Sequence, residues 1–482
     1  MIAELNLLLP EAVLAIGVLA VLVADMLLPA GRKAGAGLIG AFVCVGALAA
    51  AASSGRGLVA DMLSIDGLTV LARPGVLIAT LLVLLAGRSE QARDDGHPAW
   101  VALVLSLALG GLITAGASNL ISLYLGLELM SLAGYALAGW KAPNKAGDKA
   151  SAEAGMKYVL FGGAASGLML FGMSHVYGLT GHLDFRGIGQ ALGEGMPLAV
   201  VAALILAGVG LAYKLAIVPF HFYAPDVYQG APALAVAVLG TVPKIAAIAV
   251  LIRALVITVP PSLVPPPALS LVLSLAAVSS LAVASFTALV ATDAKRIVAF
   301  SAIGHAGAVL LAVATLPDRC AVTAAGFYLA AYAVANIGAL CCLGVFERER
   351  GSASLSALAG AMRQRPWLTT ALCLFLFSLA GVPPLAGFLA KWGVLREALH
   401  AGMEPGRAHL MWTSLALLAS TAISAWSYLL IVRAAVLQPA PEQPRVPRLA
   451  PGLAAVLVIC VLATVGLGLW LDGFAAIGGV LG

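Results

Sequence analysis

The chain has 482 residues, of which 62% are hydrophobic and only 10% charged, with a formal net charge of +5. Soluble globular proteins carry roughly 25% charged residues and about 45–50% apolar ones, and so few Lys, Arg, Asp and Glu cannot clothe a water-facing surface on a chain this long. Soluble enzymes, disordered tails and nucleic-acid binders are excluded, which leaves an all-α polytopic membrane protein.

Crossing a hydrocarbon core of about 30 Å takes about 20 apolar residues in a helix. The pattern predicts fourteen spans, numbered here in chain order: 5–27, 36–54, 67–87, 99–117, 119–140, 153–178, 197–219, 231–258, 267–290, 296–316, 320–345, 366–397, 409–437 and 450–471. Span 1 has no basic residue before it, with Glu4 just ahead of it and Glu11 near its start, so it reads as a retained helix rather than a secretory signal. Spans 4 and 5 meet at Ala117-Ser118-Asn119 with almost no loop. Sixteen Lys and Arg fall in the loops after odd-numbered spans and seven, Arg73 and Arg253 among them, on the opposite side. That asymmetry puts the odd loops in the cytoplasm and both termini outside.

Span 7 carries Val218-Pro219 after a long apolar run, and span 12 carries Val382-Pro383-Pro384 in the same way. A proline leaves the carbonyl four residues earlier unbonded, here those of Leu215, Leu379 and Ala380. Two interrupted helices five spans apart suggest paired repeats with a transport site at the breaks, although proline also occurs in membrane helices as a simple kink. Six cysteines sit inside apolar runs without CxxC spacing, and seven histidines form no HxxxH pair, so no metal or redox group is expected on this chain.

Four lysines belong to no loop: Lys157, Lys214, Lys244 and Lys391. Glu128 lies in a run otherwise free of charge, about 13 Å beyond Asn119 at 1.5 Å per residue. An ionised group at that depth costs a few kcal/mol or more unless paired or hydrated. Lys214, just before the Pro219 break, and Lys244 both fall near mid-membrane, and Lys391 occupies the second half of span 12. Burial lowers a lysine pKa and a nearby carboxylate raises it, so making and breaking a Glu128–Lys214 pair would release a proton onward to Lys244. His305 either bridges water between Lys244 and Lys391 or makes a helix–helix hydrogen bond. Lys157 opens span 6 as a relay group or an interfacial anchor. Tyr124, Tyr135 and Tyr213 are candidate donors or packing aromatics.

The run Tyr213-Lys-Leu-Ala-Ile-Val-Pro-Phe-His-Phe-Tyr-Ala-Pro-Asp-Val-Tyr-Gln-Gly-Ala-Pro232 resembles the signature of the antiporter-like subunits of proton-pumping NADH–quinone oxidoreductase (respiratory complex I). Its Pro225–Pro232 form is similar to the subunit N branch. Gly126-Leu-Glu-Leu-Met-Ser-Leu, Asp293 to His305, and Ser378 to Phe388 followed by Lys391 agree. The resemblance implies that Glu128 and Lys214 form the switchable pair, with Lys244 central and Lys391 facing the outer half-channel; Lys157 is of lesser importance. It also implies two inverted five-helix repeats with broken helices 7 and 12. The chain then divides into 1–98 (helices 1–3), 99–258 (first repeat, helices 4–8), 259–437 (second repeat, helices 9–13) and 438–482 (helix 14). NADH, flavin, iron–sulfur clusters and quinone would belong to partner subunits, with no cofactor on this chain. The partners implied are other membrane-arm subunits, further antiporter-like subunits included, in a bacterial inner membrane. A chain of this kind translocates protons from cytoplasm to outside, coupled to NADH oxidation and quinone reduction elsewhere. The rivals are a cation/proton antiporter subunit of the related multisubunit family and a structural subunit whose buried charges only fix packing.

Overall fold

The structure is a computed structural model that describes residues 6–27, 29, 35–88, 96–140, 145–193, 197–258, 267–317, 319–439, 448–470, 472–473 and 476–478. Among them, thirteen helical segments are long and apolar enough to cross a membrane, from Leu9–Leu27 to Pro451–Leu469. The remaining expected span, span 12, is divided into Pro366–Ala380 and Ala386–Gly402. Spans 4 and 5 are separate helices, His97–Gly116 and Leu120–Ala138. Their division is made by Asn119, whose side chain accepts from the Ile121 N–H (2.8 Å) and so caps a donor that the new helix leaves free. Span 6 is longer than expected, Lys145–Thr180. One feature departs from an all-helical chain. A hairpin of Gly57–Val59 and Leu63–Ile65 lies between spans 2 and 3, turning through Ala60 and Asp61 in left-handed conformation.

The helix breaks come before the prolines. Span 7 runs as Leu198–Ala207 and Val209–Leu215, then leaves the helix at Ala216 (φ 57°); span 12 does so at Gly381 (φ 87°). The two exits share one hydrogen-bond pattern. The Ala216 N–H reaches the Ala212 and Tyr213 carbonyls and the Ile217 N–H reaches Ala212, just as Gly381 reaches Phe377 and Ser378 and Val382 reaches Phe377. This is the paired-bond stop that left-handed residues give helix C-termini. A second correspondence lies at the starts of spans 5 and 10. Leu120 N–H to Leu183 and Phe185 N–H to Ser118 (both 2.9 Å) are matched by Ala294 N–H to Ala353 and Leu355 N–H to Thr292 (both 2.9 Å). The fold is therefore a duplication. With five spans per repeat, an odd number, the second copy enters from the opposite face and is inverted.

Spans 8 (Ala233–Leu239 with Val242–Thr258) and 10 (Ala294–Ala314) are wrapped by protein, each with 94% of its apolar window buried. Spans 1 and 13 have 28% buried and form the outside. Polar groups on spans 8 and 10 accordingly face neighbouring helices, not lipid.

Three basic residues counted in the charge asymmetry, Arg253 and Lys295 as loop residues and Arg73 near the same surface as Arg253, are in fact inside the fold. Arg73 in span 3 is bidentate to Glu11 (2.8 and 2.9 Å). Arg253 in span 8 holds Asp66 (2.7 Å), the Thr69 hydroxyl and the backbone carbonyls of Ala115 and Ala117. Lys295 joins Glu347 (2.7 Å) to the Ala231 carbonyl (2.8 Å). All three side chains are 1% exposed. They pin helix ends together rather than marking a membrane surface, and without them the basic majority still lies on the odd loops.

Candidate functional site

Glu128 projects from span 5 and its Oε1 accepts a hydrogen bond from the Ser166 hydroxyl of span 6. Lys214, at the end of the first half of span 7, is buried, and its Nζ has no hydrogen-bond partner among the described residues. The pair expected from the sequence is therefore open, and span 6 packs against both the helix that carries Glu128 and the helix that carries Lys214. The Nζ instead lies over three tyrosine rings, 5.5 Å from the Tyr135 centroid, 5.4 Å from Tyr158 and 5.6 Å from Tyr213. Tyr135 and Tyr213 were candidates from the sequence. No ring contact joins Tyr124 to Lys214 among the described residues, and Tyr158 had not been singled out.

Lys244 sits just beyond the kink at Gly240-Thr241, buried against span 10, where Nζ donates to the Ala302 carbonyl. It also lies over the Tyr332 ring (5.1 Å). A cavity of about 10 Å³ lined by Lys244, Leu215, His305 and Tyr332 adjoins it. A second of the same volume is lined by His305, Tyr332, Ser378 and Leu379. Each has room for about one water. Beyond the second, Lys391 Nζ donates to the carbonyls of Leu379 (2.9 Å) and Ala380 (3.0 Å). These are the two carbonyls that the helix break was expected to free. His305 thus lines both water-sized spaces, one shared with Lys244 and the other with Leu379, whose carbonyl takes Lys391. It is also hydrogen-bonded, through Nδ1 to the Tyr328 hydroxyl (2.7 Å) and through Nε2 to the Tyr428 hydroxyl (3.4 Å), which in turn meets Ser301. Both roles considered for it are compatible with this placement.

Lys157 lies apart in character. It is part-exposed, and Nζ is held by Asp226 (2.7 Å) and by Glu153 one turn earlier (2.8 Å). Asp226 also takes Arg296 (2.9 Å). Burial would raise the Asp226 carboxyl, but hydrogen bonds and charge from Lys157 and Arg296 hold it below the ordinary carboxylate value. Lys157 is thereby anchored to the short helix Ala224–Gly230 that follows span 7.

Sequence reasoning missed Ser166, Tyr158, Tyr328, Tyr332 and Tyr428. One signal was present: Tyr328 and Tyr332 are four residues apart in an otherwise apolar helix, hence on one face. A hydroxyl in an apolar helix is cheap enough to pass as packing, which is why the others left no trace.

Comparison with known proteins gives the site a context. The family described as NADH:quinone oxidoreductase/Mrp antiporter, TM, matches residues 117–417. NADH-quinone oxidoreductase subunit N of Geobacillus kaustophilus is 34% identical, with 97% of this chain and 94% of the relative covered. Subunit N 1 of Rhizobium meliloti is 36% identical, with 83% of each covered. Among solved structures, a chain of respiratory complex I from Thermus thermophilus with bound aureothin superposes with a TM-score of 0.77 at 29% identity, covering 96% of this chain and 98% of that one. A chain of the Mrp complex from Dietzia sp. reaches a TM-score of 0.83, covering 99% and 100%; at 21% identity it shows the fold alone.

Proposed function

Because the chain belongs to the NADH:quinone oxidoreductase/Mrp antiporter family, on its NADH-quinone oxidoreductase subunit N branch, we propose that it is a membrane-arm subunit of a bacterial respiratory complex I. It carries protons from the cytoplasm to the outside, driven by NADH oxidation and quinone reduction in other subunits. The observation that carries this reading is the row itself: Lys214, Lys244 and His305 buried, with Glu128 and Lys391 half-buried, in sequence across the two repeats, and two water-sized cavities lined by His305. The subunit N relatives favour it over the rival antiporter reading, since they exceed 30% identity while the Mrp likeness is one of fold.

The chemistry follows from the placement. A proton held as ammonium inside the membrane must have a partner or water at each stop. Lys214 has Glu128 as its available carboxylate, Lys244 has a carbonyl and a neighbouring cavity, and Lys391 has two carbonyls freed by the helix break. Closing the Glu128–Lys214 pair retains a proton on Lys214; opening it makes that proton available to Lys244. Moving one charge through 100 mV costs about 2.3 kcal/mol, within reach of a pair that forms and breaks. Lys157 contributes by anchoring the short helix Ala224–Gly230 that follows the break. On this reading NADH, flavin, iron–sulfur clusters and quinone bind to partner subunits, which include other antiporter-like subunits. The chain lies in the inner membrane with both termini outside.

The test uses the intact complex in sealed vesicles. Lys214→Met and Glu128→Gln are expected to slow pumping-coupled quinone reduction by about tenfold, a barrier change of ~1.4 kcal/mol. NADH oxidation by artificial acceptors should be retained. Full pumping by both variants would refute the assignment.

A further inference from the structure

The open Glu128–Lys214 pair raises a question that the relay alone does not answer: what holds a lysine buried to 5% exposure with no hydrogen bond among the described residues? A desolvated ammonium held by no hydrogen bond is strongly disfavoured, even with the Glu128 charge within electrostatic range. We propose that Tyr135, Tyr158 and Tyr213 form an aromatic cage that holds the Lys214 ammonium whenever it is released from Glu128, giving the lysine two alternative partners. This rests on the proton-relay reading above and deepens it.

The rings come from three successive spans and converge on one point. Nζ lies 5.4–5.6 Å from all three centroids, inside the range where the negative ring face attracts a cation, an attraction that grows when water is excluded. The cage is braced from behind. Tyr158 meets Tyr135 edge-on (4.9 Å, 87°) and stacks on Tyr223 (5.1 Å, 16°). The Tyr213 hydroxyl donates to the Tyr158 carbonyl and the Tyr223 hydroxyl to the Tyr213 carbonyl, both at 2.7 Å. Two hydroxyls in the cluster are thus spent on the backbone, leaving ring faces toward the lysine. Tyr135 reaches its place only because residue 162 is glycine: a Cβ there would fall 1.8 Å from the Tyr135 hydroxyl oxygen.

Span 6 carries a holder for each member of the pair. Ser166 engages Glu128, and Tyr158, eight residues earlier on the same helix, engages Lys214. A shift of span 6 relative to spans 5 and 7 therefore acts on both groups together. Both holders are neutral, so each charge is kept without being cancelled, ready to pair when the helix moves.

The decisive experiment replaces Tyr158 in the intact complex by Tyr158→Leu, by Tyr158→Phe, and by phenylalanines of increasing fluorination, which keep the ring's shape while draining its negative face. Coupled proton pumping in vesicles is read alongside NADH oxidation by artificial acceptors, which reports assembly. The cage predicts that Tyr158→Leu loses roughly tenfold, the scale of one desolvated cation–ring contact. Tyr158→Phe should recover most of that loss, and the fluorinated series should fall step by step. A flat series, or a leucine variant that pumps as well as phenylalanine, overturns the cage and leaves the rings as packing. Should Tyr158 variants fail to assemble, the same series at Tyr135 reads the same interaction. The relay itself is tested separately by Lys214→Met. If that variant pumps fully, the relay has failed; if it does not pump but fluorination has no effect, only the cage has failed.

Discussion

His305 shows how much one residue's placement decides. An imidazole between two lysines would be a poor choice for stability alone, since both neighbours carry positive charge in their usual state. Its position is nonetheless enforced by two tyrosine hydroxyls, Tyr328 and Tyr428, and the ring lines two water-sized spaces. Removing the ring while keeping the space should interrupt the row. His305→Ala is expected to slow coupled proton transfer by about tenfold, a barrier increase of ~1.4 kcal/mol, with the complex still assembled. Proton uptake by vesicles, compared with NADH oxidation by artificial acceptors, checks this. An unchanged rate would assign His305 to helix packing. The residue types in the row were legible in the sequence because a charged or titratable side chain in a long apolar run is costly and conspicuous. Their hydroxyl neighbours were not, because serine and tyrosine are tolerated in membrane helices with no function at all.

At the scale of elements, the broken helices are the devices that place Lys214 and Lys391. Span 12 uses glycine twice. Gly381 adopts φ 87°, which a side chain would strain, and a Cβ there would come 3.0 Å from the Lys391 Cδ. Gly387 lets the second half of the span pass against the first, since its Cβ would fall 1.8 Å from the Ser378 carbonyl oxygen. Gly381→Ala is expected to cost about 1–2 kcal/mol of stability from the left-handed backbone. It should also displace Lys391 from the Leu379 and Ala380 carbonyls. Thermal denaturation of the complex measures the first effect and coupled pumping the second; a variant that loses stability without losing pumping would separate the break from the lysine. Span 7 makes the same exit at Ala216 without glycine, paying the left-handed cost directly. The prolines announced both breaks in the sequence, but the exits themselves lie three residues before Pro219 and two before Pro383. Proline marks where a helix cannot continue; the residue that leaves it is chosen by the paired hydrogen bonds of the preceding turn.

Across the whole molecule, buried ion pairs tie spans that are distant in sequence. Arg253 and Asp66 are 187 residues apart and join span 8 to the start of span 3. Burial pushes the Asp66 carboxyl up, but Arg253 and the Thr69 donors more than offset it and hold it below the ordinary value. Glu11 and Arg73 do the same for spans 1 and 3, and both are nearly inaccessible. Breaking such a pair leaves one charge buried alone, which costs about 3–5 kcal/mol, whereas removing both costs far less. Arg73→Met should therefore reduce the yield and thermal stability of the assembled complex sharply. Adding Glu11→Gln should restore much of both, and a double variant as unstable as the single one would argue against pairing as the cause. The duplicated, inverted architecture brings Lys244 from the first repeat against Ala302 and His305 from the second, so the row is completed only when the repeats are packed together.

What the sequence determined by itself was the class of solvent, the number and order of spans, the two breaks and the charged members of the row. Each of these is written in local chemistry: apolar length, proline, and charges stranded in oil. Tertiary structure alone decided the partners. It put Ser166 rather than Lys214 on Glu128, placed tyrosines from three spans around one ammonium, and buried Arg73, Arg253 and Lys295 in the interior. Those pairings join residues dozens to nearly two hundred positions apart, and no periodicity or composition along a chain encodes which distant group will fill a buried hydrogen bond.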